Sequence, residues 1–390
     1  MDKNAAYDIT CQFETISTLK RFIPYSIGTP SDKLSYNDNY PRANFIFFSD
    51  SHIDLCEPEA SLDNVRRTLE FANDSPIRFD ALVHAGDVMT PFGKFDKADS
   101  YRRLTPFFDI AKTSRSPFIF TKGNHDTNDW TNIPENVLGD RDWSELFLDF
   151  AEKEYGIVRQ VKASGEKSTW HYCDIDAHKI RIISVDVQDT DKTSVNDDGY
   201  VKYYGGVSWY ITNEQFDWIA HTALNFDDKE DKDWGVIFTM HQHTKGNELH
   251  ESATEMLLCL CEAFNTQGKY ALNYTAPNNT FLDLHVSADY SRYAAYEKKP
   301  HVICWLLGHN HEDKHEVRHG INMIWTLNNS SSDCCGDSRV ARVPGTTSQN
   351  SFDIVNIDTR TRRIRIIKYG AGVNCYGIGG DRFQPDGLSY

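Results

Sequence analysis

The fold is decided by the stretch Phe118-Ile119-Phe120-Thr121-Lys122-Gly123-Asn124-His125-Asp126. Its apolar start is typical of a buried strand that is covered on both faces. Its end offers an amide, an imidazole and a carboxylate, and these groups bind metal ions. The stretch therefore predicts a strand whose carboxyl end carries part of a metal site.

Four further apolar runs end in residues of the same types. They are Phe45–Phe48 before Asp50 and His52, Ala81–Ala85 before Gly86 and Asp87, Val236–Met240 before His241 and His243, and Val302–Leu307 before Gly308, His309 and His311. The carboxyl ends of such strands meet at one rim of a sheet, where open α/β folds place their sites. Five such runs in one chain are hard to explain by packing alone. The repetition predicts that these residues share a single site.

The side chains at these strand ends form a mixed set of metal ligands. The set is Asp50, His52, Asp87, Asn124, His241, His309 and His311. Nitrogen and oxygen donors in this mixture suit Mn, Fe or Zn better than Mg or Ca, which prefer shells made of oxygen alone. Seven ligands are too many for one ion. If Asp87 bridges two cations through its two oxygens, the ligands divide four and four.

Two further histidines near these strand ends, His243 and His84, are not assigned as ligands. In the fourth motif, His241 comes first after the apolar run and is assigned as the ligand, while His243 is the other candidate. A histidine taken alone is more often a surface or core residue than a ligand. We give that ordinary role to His84, which lies inside its own apolar run.

The composition is that of a globular chain with an acidic excess. Of its 390 residues, 39% are hydrophobic and 25% are charged, and the formal net charge is -16. Binding of duplex DNA without sequence preference needs a basic surface, so the negative net charge argues against DNA as a partner. The N-terminus lacks the apolar core of a signal peptide, and no stretch approaches a membrane span. The nine cysteines are scattered without a CxxC motif, which is typical of a reducing compartment. Together these features predict a soluble, cytoplasmic protein.

The alternation of strand and helix patterns predicts an α/β fold with one main domain. Residues 1–43 show little periodicity and are predicted to be an N-terminal extension. Residues 44–370 carry the alternating pattern, and residues 371–390 form a C-terminal tail. Within the domain, residues 246–300 are predicted to be an insertion that walls the cleft together with the loop 188–206.

Helix signals lie between the strand patterns. Ser61 is a candidate N-cap, and Thr212 begins a sequence with the form of a capping box. A third helix is predicted to begin near Ser144 and to stop at Gly156, because glycine is the common residue just past a helix end.

The order of the five motifs resembles that of the calcineurin-like metallophosphoesterase superfamily. The shared elements are Asp-x-His, Gly-Asp, Gly-Asn-His-Asp, His and Gly-His-x-His, within residues 44–370. The resemblance implies a four-layer α-β-β-α sandwich of two mixed sheets flanked by helices. It also implies a binuclear centre, with Mn as the expected metal and Fe or Zn as alternatives. One metal would be held by Asp50, His52, Asp87 and His311, and the other by Asp87, Asn124, His241 and His309.

Departures from known branches narrow the resemblance. The second motif, Gly86–Pro91, differs from the Gly-Asp-x-x-Asp-Arg-Gly of Ser/Thr protein phosphatases, and the third ends in Asp126 instead of glutamate. Purple acid phosphatases carry a tyrosine where this chain has Thr90. The closing stretch Tyr369–Gly372 is similar to a pattern in some bacterial and phage-associated members. These differences argue against a Ser/Thr protein phosphatase and predict that the coloured tyrosinate–iron pair of the purple acid phosphatases is absent.

The resemblance also implies a mechanism. A hydroxide that bridges the two metals would attack phosphorus, and His125, next to the ligand Asn124, would give a proton to the leaving oxygen. Asp126 is predicted to orient His125 through a hydrogen bond.

The sequence leaves several functions open. The first is a phosphodiesterase or phosphomonoesterase that acts on an exposed phosphate ester. A nuclease of the same superfamily is an alternative within the enzymes, although the acidic charge counts against it. A structural component of a phage particle that keeps the fold is the alternative from another class. The natural substrate and the oligomeric state do not follow from the sequence.

Overall fold

The computed structural model describes residues 42–55, 58–91, 95–206, 208–243, 248–275, 283–331, 342–372 and 388–390. Most of the predicted N-terminal extension, residues 1–43, and most of the predicted tail, residues 371–390, lie outside the described residues. The domain bounds therefore stay a prediction.

Strands occur along the whole described chain. They are β1 (Arg42–Phe48), β2 (Ala81–His84), β3 (Phe118–Phe120), β4 (Val158–Val161), β5 (Lys167–Ile175), β6 (Ile180–Ser184), β7 (Gly235–Met240), β8 (Lys269–Tyr274), β9 (Leu284–Asp289), β10 (His301–Leu307), β11 (Lys314–Arg318), β12 (Ile321–Trp325), β13 (Ser351–Asp358), β14 (Arg363–Gly370) and β15 (Leu388–Ser389). The five predicted metal-site strands are β1, β2, β3, β7 and β10.

Helices connect many of these strands. They are α1 (Pro58–Asp74), α2 (Lys97–Ala111), α3 (Asp140–Trp143), α4 (Asp149–Tyr155), α5 (Asn213–Trp218) and α6 (Glu248–Asn265). A π-helical stretch, Ser144–Leu148, joins α3 to α4, and another, Ile219–Ala223, continues α5. None of the described helices is long and apolar enough to cross a membrane.

Two large mixed sheets form the centre of the fold. The first has the order β15-β14-β13-β1-β2-β3, and the second has the order β11-β12-β10-β7-β6-β5-β4. In the first sheet β1, β2 and β3 run parallel, while β1 pairs antiparallel with β13. In the second sheet β6, β7 and β10 run parallel. Within each sheet, the site strands therefore run parallel to one another.

Alternate residues of the central strands pack into two separate cores. In β7, Ile237 packs with residues of the first sheet in the core between the sheets, whereas Val236 and Phe238 pack in a second core on the outer face. The first core continues across the first sheet, since all of Phe45–Phe48 belong to it, and there it includes residues of helices α1 and α2, whereas α5 and α6 contribute to the second core. This arrangement confirms the predicted four-layer α-β-β-α sandwich. It also explains the unbroken apolar runs, because both faces of these strands are buried.

The described part of residues 246–300 belongs to the outer layer. Helix α6 and the β8-β9 hairpin pack on the second core through Leu257, Phe264 and Leu284. Helix α6 occupies Glu248–Asn265 of this segment. These residues cover the outer face of the second sheet, so the described part of the segment has a structural role there.

Helix boundaries differ from the predictions at polar residues that have tertiary partners. Helix α1 begins at Pro58, and Ser61 lies buried within it, where its hydroxyl contacts Ser331 instead of capping the helix. Thr212 does cap α5 by accepting a hydrogen bond from the main-chain nitrogen of Gln215. The Gln215 side chain, however, pairs with the main chain of Asp186, so the predicted capping box forms only in part.

The predicted third helix begins earlier than expected. Its first turn starts at Asp140, and the chain is helical from there through Tyr155, with the π-helical stretch inside it. It ends at Gly156 as predicted, with a φ of 69° that suits glycine.

Candidate metal centre

The carboxyl ends of the five site strands meet at one rim where the two sheets adjoin. The main-chain nitrogen of Asp50 donates to the carbonyl of Gly86 at 2.8 Å, which ties the ends of β1 and β2. Gly308 donates in the same way to His241 at 3.1 Å, which ties β10 to β7. Between the sheets, the hydroxyls of Thr121 and Ser184 lie 2.9 Å apart. These contacts bring the five motifs into one place.

Three of the predicted ligands form a first group at this rim. Asp50 Oδ1 lies 3.2 Å from His311 Nε2, and His52 Nε2 lies 3.2 Å from the same nitrogen. Asp50 and His52 are fully buried, and the His311 side chain is only 11% exposed. One ligand atom from each of the three lies within 4.8 Å of the others, so the group can hold one cation.

The other four predicted ligands form a second group beside the first. His241 Nε2 lies 3.0 Å from Asp87 Oδ2 and 3.0 Å from Asn124 Oδ1. His309 Nδ1 lies 3.1 Å from the same amide oxygen. Asp87, His241 and His309 also offer atoms within 4.8 Å of one another. The two groups adjoin, since His241 Nε2 lies 3.8 Å from Asp50 Oδ1.

The competing candidate of the fourth motif points elsewhere. His243 Nε2 lies 2.6 Å from a guanidinium nitrogen of Arg318, and its ring meets Trp305 edge-on. His241 lies in the second group. Its Nδ1 lies 2.6 Å from the carbonyl oxygen of Ala85, so its Nε2 faces the other ligands. The geometry therefore favours His241 over His243 as the ligand.

Five of the seven candidate ligands have a left-handed backbone conformation. The φ angles are 55° at Asp50, 41° at His52, 57° at Asp87, 70° at His309 and 49° at His311. Residues other than glycine rarely adopt this region, and each instance costs about 1–3 kcal/mol, so it persists only where the surrounding structure holds it. Strain of this kind clusters at functional sites. This backbone conformation thus occurs at five of the seven residues that the motif order selects.

A buried amide network holds the first of these strained loops. The main-chain nitrogen of Asn329 donates to the carbonyl of Ser49, next to Asp50, at 2.8 Å. Asn64 in α1 donates to the carbonyl of Asn329 at 2.8 Å, and the Asn329 amide donates to the carbonyl of Ser351 at 2.7 Å. These side chains are buried. Their hydrogen bonds fix the chain beside the strand end that carries Asp50.

A buried ion cluster holds the loop that follows His311. Lys368 on β14 lies 2.7 Å from Asp313 and 3.2 Å from Asp353, and the side chains of all three are at most 1% exposed. Asp313 also accepts a hydrogen bond from the main chain of Leu327 at 2.9 Å. The cluster thereby links the last metal motif to the first sheet.

Two motif glycines are required by close packing under the centre. Gly86 has a φ of +95°, and a Cβ there would lie 2.6 Å from the main-chain nitrogen of Gly123. A Cβ on Gly123 would lie 2.1 Å from Asp87 Oδ1. The second and third motifs therefore touch through glycine backbone, as the sharp turn before Asp87 requires.

The carboxylates and imidazoles of the centre shift one another's pKa values. Burial alone would raise the pKa of Asp50, but the charges of His311 and His241 more than offset this and leave it well below its usual range. Burial would lower the pKa of His241, yet Asp87 and Asp50 raise it to about 9. Burial, followed by the charge of His311, lowers the pKa of His52 to about 3. The carboxylates are thus anionic and attract positive charge.

His125, the predicted proton donor, lies at the edge of the centre. Its side chain is 13% exposed, and Nε2 lies 4.0 Å from Asp87 Oδ2. Its main-chain nitrogen donates to Asp87 Oδ1 at 2.9 Å. Burial lowers the pKa of His125 below its ordinary value, and the charge of Asp87 acts in the opposite direction.

Asp126 has a different role from the predicted one. One of its oxygens accepts hydrogen bonds from the main-chain nitrogens of Gly123 (2.7 Å) and Asp87 (2.9 Å), and the other from those of Val88 (2.8 Å) and Met89 (3.3 Å). Burial, together with the charge of Asp87, raises the pKa of this carboxyl to about 7, although the amide donors favour its charged form. Asp126 therefore joins the second and third motif loops instead of orienting the His125 ring.

The structure adds residues that the motif analysis did not assign. The hydroxyl of Thr90 contacts Nδ1 of His52, and its main-chain nitrogen donates to Asp54 at 2.6 Å. Trp130 stacks on His125, and Trp209 meets the ring of His309 edge-on. The sequence could have indicated Thr90, because this residue stands three positions after Asp87. It could not have indicated Trp130 or Trp209, because their ring contacts depend on how the loops pack.

The donor set fits two divalent cations. Each group offers a carboxylate and imidazoles that can converge on one ion, and the second group adds the neutral oxygen of Asn124. The thiols of the four cysteines in the described part of the chain are free and lie outside both groups. Nitrogen and oxygen ligands without thiolate suit first-row transition metals.

Several solved structures and one family profile match this chain. The structures include TT1561 of Thermus thermophilus (13% identity, TM-score 0.39, covering 83% of this chain and 97% of that one). They also include the phosphopantetheinyl hydrolase of Mycobacterium tuberculosis (13%, 0.35, 74% and 89%) and an archaeal phosphodiesterase (14%, 0.31, 83% and 99%). A search of curated proteins gave no match. The sequence profile of the calcineurin-like phosphoesterases matches residues 43–313, well over half of the chain. The chain therefore belongs to the calcineurin-like phosphoesterase family, whose members hydrolyse phosphate esters with the help of metal ions.

Proposed function

We propose that this protein hydrolyses phosphate esters at a two-metal centre, with Asp87 bridging the two ligand groups and His125 as the proton donor. The observation that carries the proposal is the pair of adjoining ligand groups with an imidazole at their edge. His125 Nε2 stands 4.0 Å from Asp87, beside both groups and partly open to solvent. Such an arrangement suits attack on phosphorus from one side and protonation from the other.

The metal ligands would divide by group. Asp50, His52 and His311 would hold one cation and His241, His309 and Asn124 the other, with Asp87 shared between them. Two bound cations would supply a water of lowered pKa and would neutralise the charge of the phosphoryl oxygens. Mn is the first metal to test, with Fe and Zn as alternatives.

His125 would act on the leaving group. Its main chain is anchored to Asp87, so the ring stays beside the second group and its Nε2 lies at the edge that a substrate oxygen would approach. Donation of the Nε2 proton to the leaving oxygen avoids release of an alkoxide or phenolate. A general acid contributes about 10²–10⁴-fold to the rate.

The residues that line the cleft favour a substrate larger than free phosphate. The loop 188–206 reaches the centre at Gly205, where an added Cβ would lie 2.2 Å from the carbonyl oxygen of Asn124. Tyr204 and Trp209 flank this point and are half-buried. We propose that this loop, together with Trp209, contacts the organic part of the ester and sets the choice between monoesters and diesters.

The first experiment measures metal content and turnover together. Purified protein supplied with Mn is expected to bind about two metals per chain and to hydrolyse p-nitrophenyl phosphate or bis-p-nitrophenyl phosphate. Less than one metal per chain, with neither ester turned over, would contradict the proposal.

A variant pair separates the proton donor from an ordinary surface histidine. With a phenyl ester, whose leaving group needs a proton, His125→Ala is expected to lower turnover about 10²–10⁴-fold while metal content stays unchanged. The control is His221→Ala, because His221 is exposed and contacts Asp217 and Ser287, which belong to none of the five motifs. Loss of metal in His125→Ala would show that this residue is a ligand instead.

A further inference from the structure

We propose that Trp130 is a positioning residue that holds the imidazole of His125 in the orientation needed for proton donation. The proposal rests on the proposed function and names the residue through which its proton donor is fixed. Its starting point is one contact. The rings of Trp130 and His125 stack with centroids 4.6 Å apart and planes inclined by 20°.

The indole of Trp130 is itself held on several sides. Its Nε1 donates a hydrogen bond to the carbonyl oxygen of Asn124 at 3.0 Å. The backbone of Gly206 lies so close that an added Cβ would stand 2.7 Å from Cζ2 of the indole. Tyr204 meets the indole at 67° with centroids 5.6 Å apart. Because the indole is fixed to the loop that carries Asn124, it forms a rigid wall for the neighbouring imidazole.

His125 has restraints at its other sides as well. The ring of His52 meets it edge-on, with centroids 5.6 Å apart, and Asp87 fixes its main chain. The Trp130 stack then restricts rotation of the imidazole about its side-chain bonds. This is the orienting role that the sequence assigned to Asp126, whose oxygens bond to four main-chain nitrogens. An aromatic stack replaces the expected carboxylate.

The segment around Trp130 is built to present the indole. Asn128 and Thr131 lie on either side of it with left-handed φ angles of 57° and 46°. Asp129 accepts a hydrogen bond from the main-chain nitrogen of Gly205 at 3.1 Å and pairs with Lys192 at 2.5 Å. These contacts lock the turn against the loop 188–206. The orientation of the proton donor is therefore set by packing between two loops.

The test uses esters whose leaving groups differ in their need for a proton. Phenolate is a poorer leaving group than p-nitrophenolate, so misplacing a general acid slows phenyl esters more. We expect Trp130→Ala to lower kcat about 30- to 100-fold with a phenyl ester and only about threefold with the p-nitrophenyl ester, since small misplacements cost up to about 10²-fold. Metal content and KM should change little. Trp130→Phe keeps a stacking ring and should recover most of the kcat.

A double variant tests whether Trp130 acts through His125. In a His125→Ala background, Trp130→Ala should change kcat less than about twofold, because residues that act as a unit are not additive. The same loss in both backgrounds, or equal losses with both esters, would overturn the proposal. Circular dichroism of each variant checks the fold, and Trp130→Phe serves if Trp130→Ala does not fold.

A measurement on the metal-free protein separates this proposal from the proposed function. The indole stacks on His125, so its ring current should shift the His125 ring protons in NMR spectra, and Trp130→Ala should move them toward ordinary positions. If these signals do not move, the positioning role is wrong whatever the activity. If they move but wild-type protein turns over no ester, the proposed function fails while the contact stands.

Discussion

Replacing Asp126 by asparagine tests the role that the structure gives to this carboxylate. Each carboxylate oxygen accepts two main-chain hydrogen bonds, from Gly123 and Asp87 on one side and from Val88 and Met89 on the other. Asparagine has one carbonyl oxygen, so its amide nitrogen must face one pair of donors. Two buried N–H groups then lose their acceptor, and each costs about 1–3 kcal/mol. Asp126→Asn should therefore destabilise the protein by about 2–6 kcal/mol.

The expected loss is measurable by thermal unfolding. Proteins have an unfolding entropy of about 2.1 cal/mol/K per residue, so for 390 residues the loss lowers Tm by about 2–7 °C. The assay is best run at about pH 8, above the pKa of about 7 of this carboxyl. The control is Asp74→Asn, since the Asp74 side chain is 75% exposed and should change Tm by less than about 1 °C.

The opposite result would restore the role predicted from the sequence. If Asp126→Asn matches Asp74→Asn in Tm and keeps its metal but loses kcat, its carboxylate acts on His125 and not on the loops. If both stability and metal content fall, the carboxylate joins the second and third motifs as described.

Further substitutions at four positions probe the centre and its supports. His241→Ala should remove roughly half of the bound metal, whereas His243→Ala should leave metal content unchanged; plasma emission spectrometry distinguishes them, and the reverse pattern would exchange their roles. Thr90→Val should weaken metal binding about 10- to 100-fold by releasing His52 Nδ1, while Thr90→Ser should keep it, as measured by competition with a chelator. Equal affinity in both variants would show that the hydroxyl contact does not matter. Lys368→Met leaves two buried carboxylates without their cation and should cost about 3–5 kcal/mol, or about 4–6 °C in Tm; an unchanged Tm would contradict the buried cluster.

The sequence predicts the strands and the candidate ligands because both depend on local pattern. Apolar runs such as Val236–Met240 mark strands that are buried on both faces, and the residue types that follow them define the donors. The order of motifs then identifies the family. This part of the fold needed no knowledge of contacts between distant residues.

The remaining features depend on contacts that the local pattern does not contain. Ser61 looks like a helix cap until Ser331 comes beside it, 270 positions along the chain. Gln215 completes a capping box in the sequence, but the main chain of Asp186 takes its side chain. Asp126 was paired with its neighbour His125, whereas its partners at Asp87 to Met89 come from another loop. In each case a buried polar group has found a tertiary partner.

The left-handed backbone at the metal ligands has a consequence for protein engineering. Glycine tolerates the φ of 55° at Asp50 or 57° at Asp87 better than the native aspartate does. Glycine at these positions would relieve backbone strain, but the main-chain nitrogens of His309 and His125, which donate to Asp50 and Asp87, would lose their acceptors at a cost of about 1–3 kcal/mol each. The strained turns and the ligand carboxylates that hold them therefore cannot be changed separately in an engineered variant.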